Sequence, residues 1–162
     1  MHDRAYRMVD VGGKAVTRRR AVATGRIRVG PEVMALLETG DIPKGDPLRL
    51  AEVAAIMAAK RTPDLLPLCH PLMLDHVGLI CRLDTVDAVV DVFATVVTSA
   101  RTGVEMEALA AVNAALLTIW DLCKPIEAAL SIDGVRLLLK EGGKSGRWEH
   151  PDGLGALPED WR

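Results

Sequence analysis

With 162 residues, 49% hydrophobic and 26% charged, the chain is long enough for one soluble domain with a true core. Aromatic residues make up only 3%, so Leu, Val, Ile, Ala and Met must build that core, which disfavours nucleic-acid recognition by base stacking. The net charge of −2 exerts no global pull on nucleic acid or anionic membrane. Positive charge is instead local, in Thr17-Arg18-Arg19-Arg20, in Lys60-Arg61 and over residues 141–147. That distribution suits a small polyanion better than a polymer.

Three cysteines, Cys69, Cys81 and Cys123, are an odd number without CxxC spacing. They point to a reducing compartment rather than a disulfide framework. The N-terminus is too polar for a signal peptide and no uninterrupted apolar run matches a bilayer, so the expected location is cytoplasmic.

Residues 1–19 are polar and are expected to be irregular. Residues 18–30 alternate, with Ile27 and Val29 opposite in direction to Arg26 and Arg28, which predicts a half-buried strand. Pro31 and Gly40 frame a short helix over 31–40. A second helix is expected over 45–62, with Asp46 as N-cap, Pro47 in the first turn, and Leu50, Val53, Ala54 and Met57 as its apolar stripe. Pro67 and Pro71 forbid regular helix in the leucine-rich stretch that follows.

Two β-rich runs, 76–83 and 88–99, are joined by Asp84-Thr85-Val86-Asp87 and read as a hairpin. Thr102 and Glu105 have capping-box spacing and predict a long helix that breaks at Lys124, before Pro125. Residues 134–147 read as a strand entering a Gly-rich loop, and 148–162 as a loose tail after a single domain. The order β, α, α, β, β, α, β matches an α+β, ferredoxin-like split βαβ domain with helices on one face of an antiparallel sheet. The other sheet face is left bare, which predicts a homo-oligomer.

The reactive side chains are unevenly spread. Cys69 and His70 are adjacent between Pro67 and Pro71. Adjacent ligands rarely share one zinc ion, and only His76 lies near, so no metal site is expected. Apolar neighbours raise a thiol pKa, which argues against Cys69 as a nucleophile. His70 is held in one place by the flanking prolines; a satisfied core histidine is the plain alternative.

Glu107 lies in the first turn of the long helix, where the dipole favours a carboxylate. Asp121 and Lys124, three apart, share a face at the helix exit. The plain reading is a weak surface ion pair, yet the negative end of the dipole is unfavourable for Asp121 unless another group holds it. Lys44 precedes a helix N-terminus in a Gly/Pro loop, and Lys144 lies in Gly142-Gly143-Lys144-Ser145-Gly146, without Walker spacing. Together these lysines favour a ligand with several phosphates.

The stretches "MVDV" (8–11), "KGD" (44–46), "AAKRTPDLLPLCHPLML" (58–74), "RTGVEMEAL" (101–109), "LTIWDLCK" (117–124) and "EGGKSG" (141–146) resemble one family. It is the cyclic pyranopterin monophosphate synthases, the C protein of molybdenum cofactor biosynthesis. The resemblance implies a ferredoxin-like hexamer, a trimer of dimers, with active sites at subunit interfaces. It implies conversion of 3′,8-cyclised dihydro-GTP to a pterin bearing a cyclic phosphate, with release of diphosphate.

On this resemblance Asp121, Lys124 and Lys44 are the catalytic set. Leu68, Cys69, His70, Met106 and Glu107 fall on substrate-contact positions, and Lys60 and Lys144 on phosphate contacts. No tightly bound cofactor is implied; Mg²⁺ would accompany the triphosphate. Arg101, Glu52, Ala55 and Trp120 depart from common family residues without touching this set, although Glu52 bears on a subunit contact. The rival expectation is a nucleotide-binding or assembly module that kept the fold and lost the chemistry. A nucleic-acid role for the arginine cluster is weaker, and neither a nucleic-acid nor a membrane partner is expected.

Overall fold

The computed structural model describes residues 5–162. Residues 5–16 carry no helix or strand, and the first four lie outside the described residues. The elements that follow are β1 (Thr17–Arg28), α1 (Pro31–Thr39), α2 (Pro47–Lys60), the single turn α3 (Thr62–Leu65), β2 (His76–Asp84), β3 (Val89–Ala100), α4 (Glu105–Cys123), β4 (Ser131–Glu141) and β5 (Trp148–Glu149). A last 3₁₀ turn spans Glu159–Trp161.

The strands form one sheet in the order β2-β3-β1-β4-β5, every neighbour pair antiparallel. This is an α+β fold, and the strand order fits the split βαβ arrangement. Ala21 and Ala23 of β1 stand opposite Val96 and Ala94 of β3 and share the main core with α1, α2 and α4. Gly25 is required there: a Cβ on it would meet Leu116 and Val112 of α4 at 2.8 and 2.9 Å. Opposite Gly25 the register shifts, and Gly134 of β4 takes a left-handed φ of 64°. Two residues of β4 thus face one of β1, a bulge that starts the strand earlier than its apolar pattern suggests.

The second sheet face is not bare. Val22, Phe93, Leu138 and Leu139 pack against Leu157, which is only 1% exposed, with Leu154 and Trp161 at the margin. The last fifteen residues, expected to be loose, therefore fold back as a cover. Their signal is sparse because Leu154, Leu157 and Trp161 are isolated among Gly, Pro and acidic residues.

The packing of α2 differs from its apolar stripe. Its buried residues are Pro47, Ala51, Ala55 and Ala59, whereas Leu50, Val53 and Met57 are 47%, 51% and 54% exposed. Small side chains let α2 approach α4, whose Ala108, Ala111 and Ala115 lie in the same core. The larger apolar residues are turned outward as a consequence. By composition α4 is long and apolar enough to cross a membrane, but half of that window is buried inside the domain, as befits a core helix.

The starts of α2 and α4 are capped differently. Asp46 caps α2 as expected, accepting from the N–H groups of Leu48 and Arg49 at 3.0 and 3.1 Å, so those donors are not free for an anion beside Lys44. The cap of α4 is Val104, with no side-chain hydrogen bond. Thr102 lies too far back to cap, and Glu105 pairs with Lys140 at 3.2 Å instead. The start of α4 is left without a capping side chain.

Candidate active site

Pro125 shapes the exit of α4. It has no N–H, so the Asp121 carbonyl four residues earlier lacks its helical donor. Lys44, in the loop before α2, fills that vacancy: its Nζ donates to the Asp121 carbonyl at 3.0 Å and lies 3.8 Å from Oδ2. Lys124 Nζ is 2.7 Å from Oδ1. The Lys124 hydrogen bond, then its charge and that of Lys44, hold the Asp121 carboxyl below the usual carboxylate range. These two ammonium groups keep a carboxylate at the negative end of the helix dipole. All three side chains are solvent-exposed, so the pairs contribute little stability, and their amines stay open to a ligand.

The other end of α4 borders a cavity of about 1010 Å³, with Leu68, Cys69, His70, Met106 and Glu107 in its wall beside Lys14. The 69–74 chain has no regular structure, as its prolines require. Its Cys69 Sγ donates to Glu107 Oε1 at 3.6 Å. Glu107 is only 2% exposed, with no cation within ion-pair distance among the described residues. Burial raises its carboxyl pKa, against opposing hydrogen bonds from backbone and Cys69. Burial, with the Glu107 charge, pushes the Cys69 thiol up to about 11. Cys69 is thus a donor to Glu107 and a poor nucleophile.

Lys144 lies at a second recess of about 70 Å³, with Arg19, Lys140 and Glu105. Gly103 and Glu105 line both spaces, so the basic recess adjoins the larger cavity at the uncapped start of α4. Arg19 belongs to the arginine cluster marked in the sequence, whereas Lys140 is a new member; alternation along β1 and β4 and the proximity of α4 bring both in. Lys60 ends α2 and is exposed, outside the walls of both spaces. Among the described residues no group of three His, Cys, Asp or Glu could hold a metal ion.

The expected site residues therefore form two groups within one chain. Glu107 and Asp121 are 14 residues apart on α4, about 21 Å of helix at about 1.5 Å per residue.

The family model that matches residues 8–143 is that of the MoaC family. A cyclic pyranopterin monophosphate synthase of Roseiflexus sp. (strain RS-1) is 56% identical over 140 residues, 86% of this chain and 89% of that protein. One from Chloroflexus aurantiacus (strain ATCC 29366 / DSM 635 / J-10-fl) is 52% identical over 145 residues, 90% of this chain and 89% of that protein. A molybdenum cofactor biosynthesis bifunctional protein of Synechococcus elongatus is 54% identical over 144 residues, 89% of this chain and 45% of that longer protein. With a matched stretch that holds both ends of α4 and the loop carrying Lys44, the chain belongs to the MoaC family.

Proposed function

We propose that the chain is a lyase that converts 3′,8-cyclo-7,8-dihydro-GTP to cyclic pyranopterin monophosphate and diphosphate, an early step of molybdenum cofactor biosynthesis. The observation that carries the reading is the placement of Lys44 and Lys124 on the two sides of the Asp121 carboxylate, in a chain of this family. Opening the imidazole-derived ring and closing the cyclic phosphate require proton transfers, and a carboxylate between two amines supplies acid and base together. Asp121 and Lys124 act as that pair, with Lys44 on the substrate beside them.

The base and sugar lie against Leu68, His70 and Met106, and the buried Glu107 faces the ring. The phosphates extend toward Lys144, Lys140 and Arg19 at the uncapped start of α4, where cationic groups and backbone donors stabilise the departing diphosphate. Lys60 adds charge at that end. Mg²⁺ arrives on the triphosphate rather than in a protein cage.

Because the two groups sit at opposite ends of α4, a complete site takes each from a different subunit. The outward stripe of Leu50, Val53 and Met57 supports self-association, as a hexamer built from three dimers. Three free cysteines suit work in the cytoplasm.

Single-turnover mass spectrometry with the cyclised GTP tests the reading. The enzyme yields the cyclic phosphate and diphosphate, and a binding or assembly module returns the substrate unchanged. Asp121→Asn keeps the fold and oligomer and slows turnover by between about 10²- and 10⁴-fold; a fully active variant removes Asp121 from its role.

A further inference from the structure

The loop that carries Lys144 is short, Gly-rich and exposed, yet it is tied down at its base. Its chain closes on itself, Gly142 N–H donating to Gly146 O at 3.1 Å. It also lies directly on β1, where a Cβ added to Gly142 would come within 2.2 Å of the Arg18 carbonyl oxygen. Gly142 has a φ of 101°, so this approach depends on glycine twice over.

Glu141, the last residue of β4, stands at the loop's first shoulder. Its Oε2 accepts from Arg20 Nη1 at 3.1 Å, and its Oε1 from Arg147 Nη1 at 2.6 Å, at the loop's far shoulder. Arg147 also donates to Glu149 at 2.7 Å. Burial pushes the Glu141 carboxyl up, but the hydrogen bonds from Arg20 and Arg147 outweigh it and the carboxyl ends below its ordinary value.

Arg20 does more than close this pair. Its Nη2 donates to the main-chain carbonyl of Trp161, and its Nε to Thr95 Oγ1 at 3.4 Å. Trp161 belongs to the cover that Leu157 anchors on the second sheet face. Arg82 fastens the same segment by donating to the Ala156 carbonyl at 2.7 Å. A single guanidinium thus links the base of the loop, the sheet and the C-terminal cover.

We infer that Arg20, Glu141 and Arg147 form a brace that sets the position of Lys144, and that the chain's own C-terminal segment is its outer anchor. Arg147 and Trp161 both lie beyond residues 8–143, the stretch that the family model matches, as does Lys144 itself. Arg20 and Glu141 are positioning residues: they stand in the wall of the recess that holds Lys144, paired with each other at the base of the loop. The inference rests on the reading that Lys144 receives the substrate's phosphates.

A linked carboxylate and two guanidiniums, partly shielded, form a network rather than an isolated surface pair, which makes the positioning effect measurable. Loss of one charge-assisted hydrogen bond in it changes phosphate affinity by about five- to tenfold.

The experiment uses the full chain and its Glu141→Gln, Arg147→Ala, Trp161→Ala and Lys144→Ala variants. It reads KM and kcat for the cyclised GTP, and calorimetric affinity for inorganic diphosphate. Glu141→Gln and Arg147→Ala should raise KM and weaken diphosphate by about five- to tenfold, with kcat falling by a smaller factor as leaving-group stabilisation weakens. Trp161→Ala should do the same, and combined with Glu141→Gln it should add less than the product of the two effects.

Should Glu141→Gln fail to fold, the exposed Arg147 supplies the same test. Unchanged KM and diphosphate affinity in the brace variants, with both impaired in Lys144→Ala, overturns the brace alone. So does a strictly additive Trp161 and Glu141 pair. If Lys144→Ala itself changes neither quantity, the phosphate reading of the loop falls, and the brace falls with it.

Discussion

Lys44 donates to the main-chain carbonyl of Asp121 at 3.0 Å, an acceptor left open because Pro125 carries no N–H. This one bond connects the loop before α2 to the exit of α4 and sets Lys44 beside the Asp121 carboxylate. Lys124, the residue before the proline, keeps helical dihedrals of −56° and −26°. The helix is therefore stopped by a missing donor rather than by a bent backbone.

Pro125→Ala restores that donor. The new N–H competes with Lys44 for the Asp121 carbonyl, and Lys44 loses its tether while its charge remains. Turnover should fall by about tenfold, the equivalent of one positioned hydrogen bond, while the melting temperature holds or rises. Steady-state kinetics and a thermal melt measure both. An unchanged rate would mean that the carbonyl does not position Lys44.

Cys69 is read as a hydrogen-bond donor to Glu107 and not as a nucleophile, with its thiol pushed up to about 11. A serine hydroxyl can make the same bond. Cys69→Ser should retain activity within about twofold, and Cys69→Ala should lose more. A collapse of turnover in the serine variant would return the sulfur to the chemistry.

Burial raises the Glu107 pKa, so folding favours its neutral form. The stabilisation from neutral Glu107 is fully present below the unfolded value of about 4.3 and is lost as pH rises through the raised folded value. Glu107→Gln does not titrate. Its melting temperature relative to the parent should therefore climb with pH across that window and level off above it. Thermal melts between about pH 4 and pH 8 would show this, and a difference that is flat with pH would contradict it.

Much of this site was legible because its local chemistry is strong. Asp46 and Pro47 mark the start of α2, Pro31 and Gly40 the limits of α1, and the prolines beside His70 exclude helix. Asp121 and Lys124 share a helical face by spacing alone. What escaped depends on tertiary fit. Alanines, not the larger Leu50, Val53 and Met57, face α4, because distance between helices and not side-chain hydrophobicity selects that face. The Thr102 and Glu105 spacing imitates a cap, but the helix begins at Glu105 and its carboxylate turns to Lys140 on β4. Leu157 and Trp161 cover the second face from a stretch with no periodicity to announce it.

In the proposed assembly a working site joins the Asp121 end of one protomer to the His70 end of another. Asp121→Asn and His70→Ala variants, each inactive alone, should regain activity when dissociated together and reassembled in equal amounts. Random pairing then leaves about a quarter of sites with both halves intact, so about a quarter of the parent rate is predicted. A mixture that reassembles to the parent size and stays as inactive as its components would show that each chain must supply the whole site by itself.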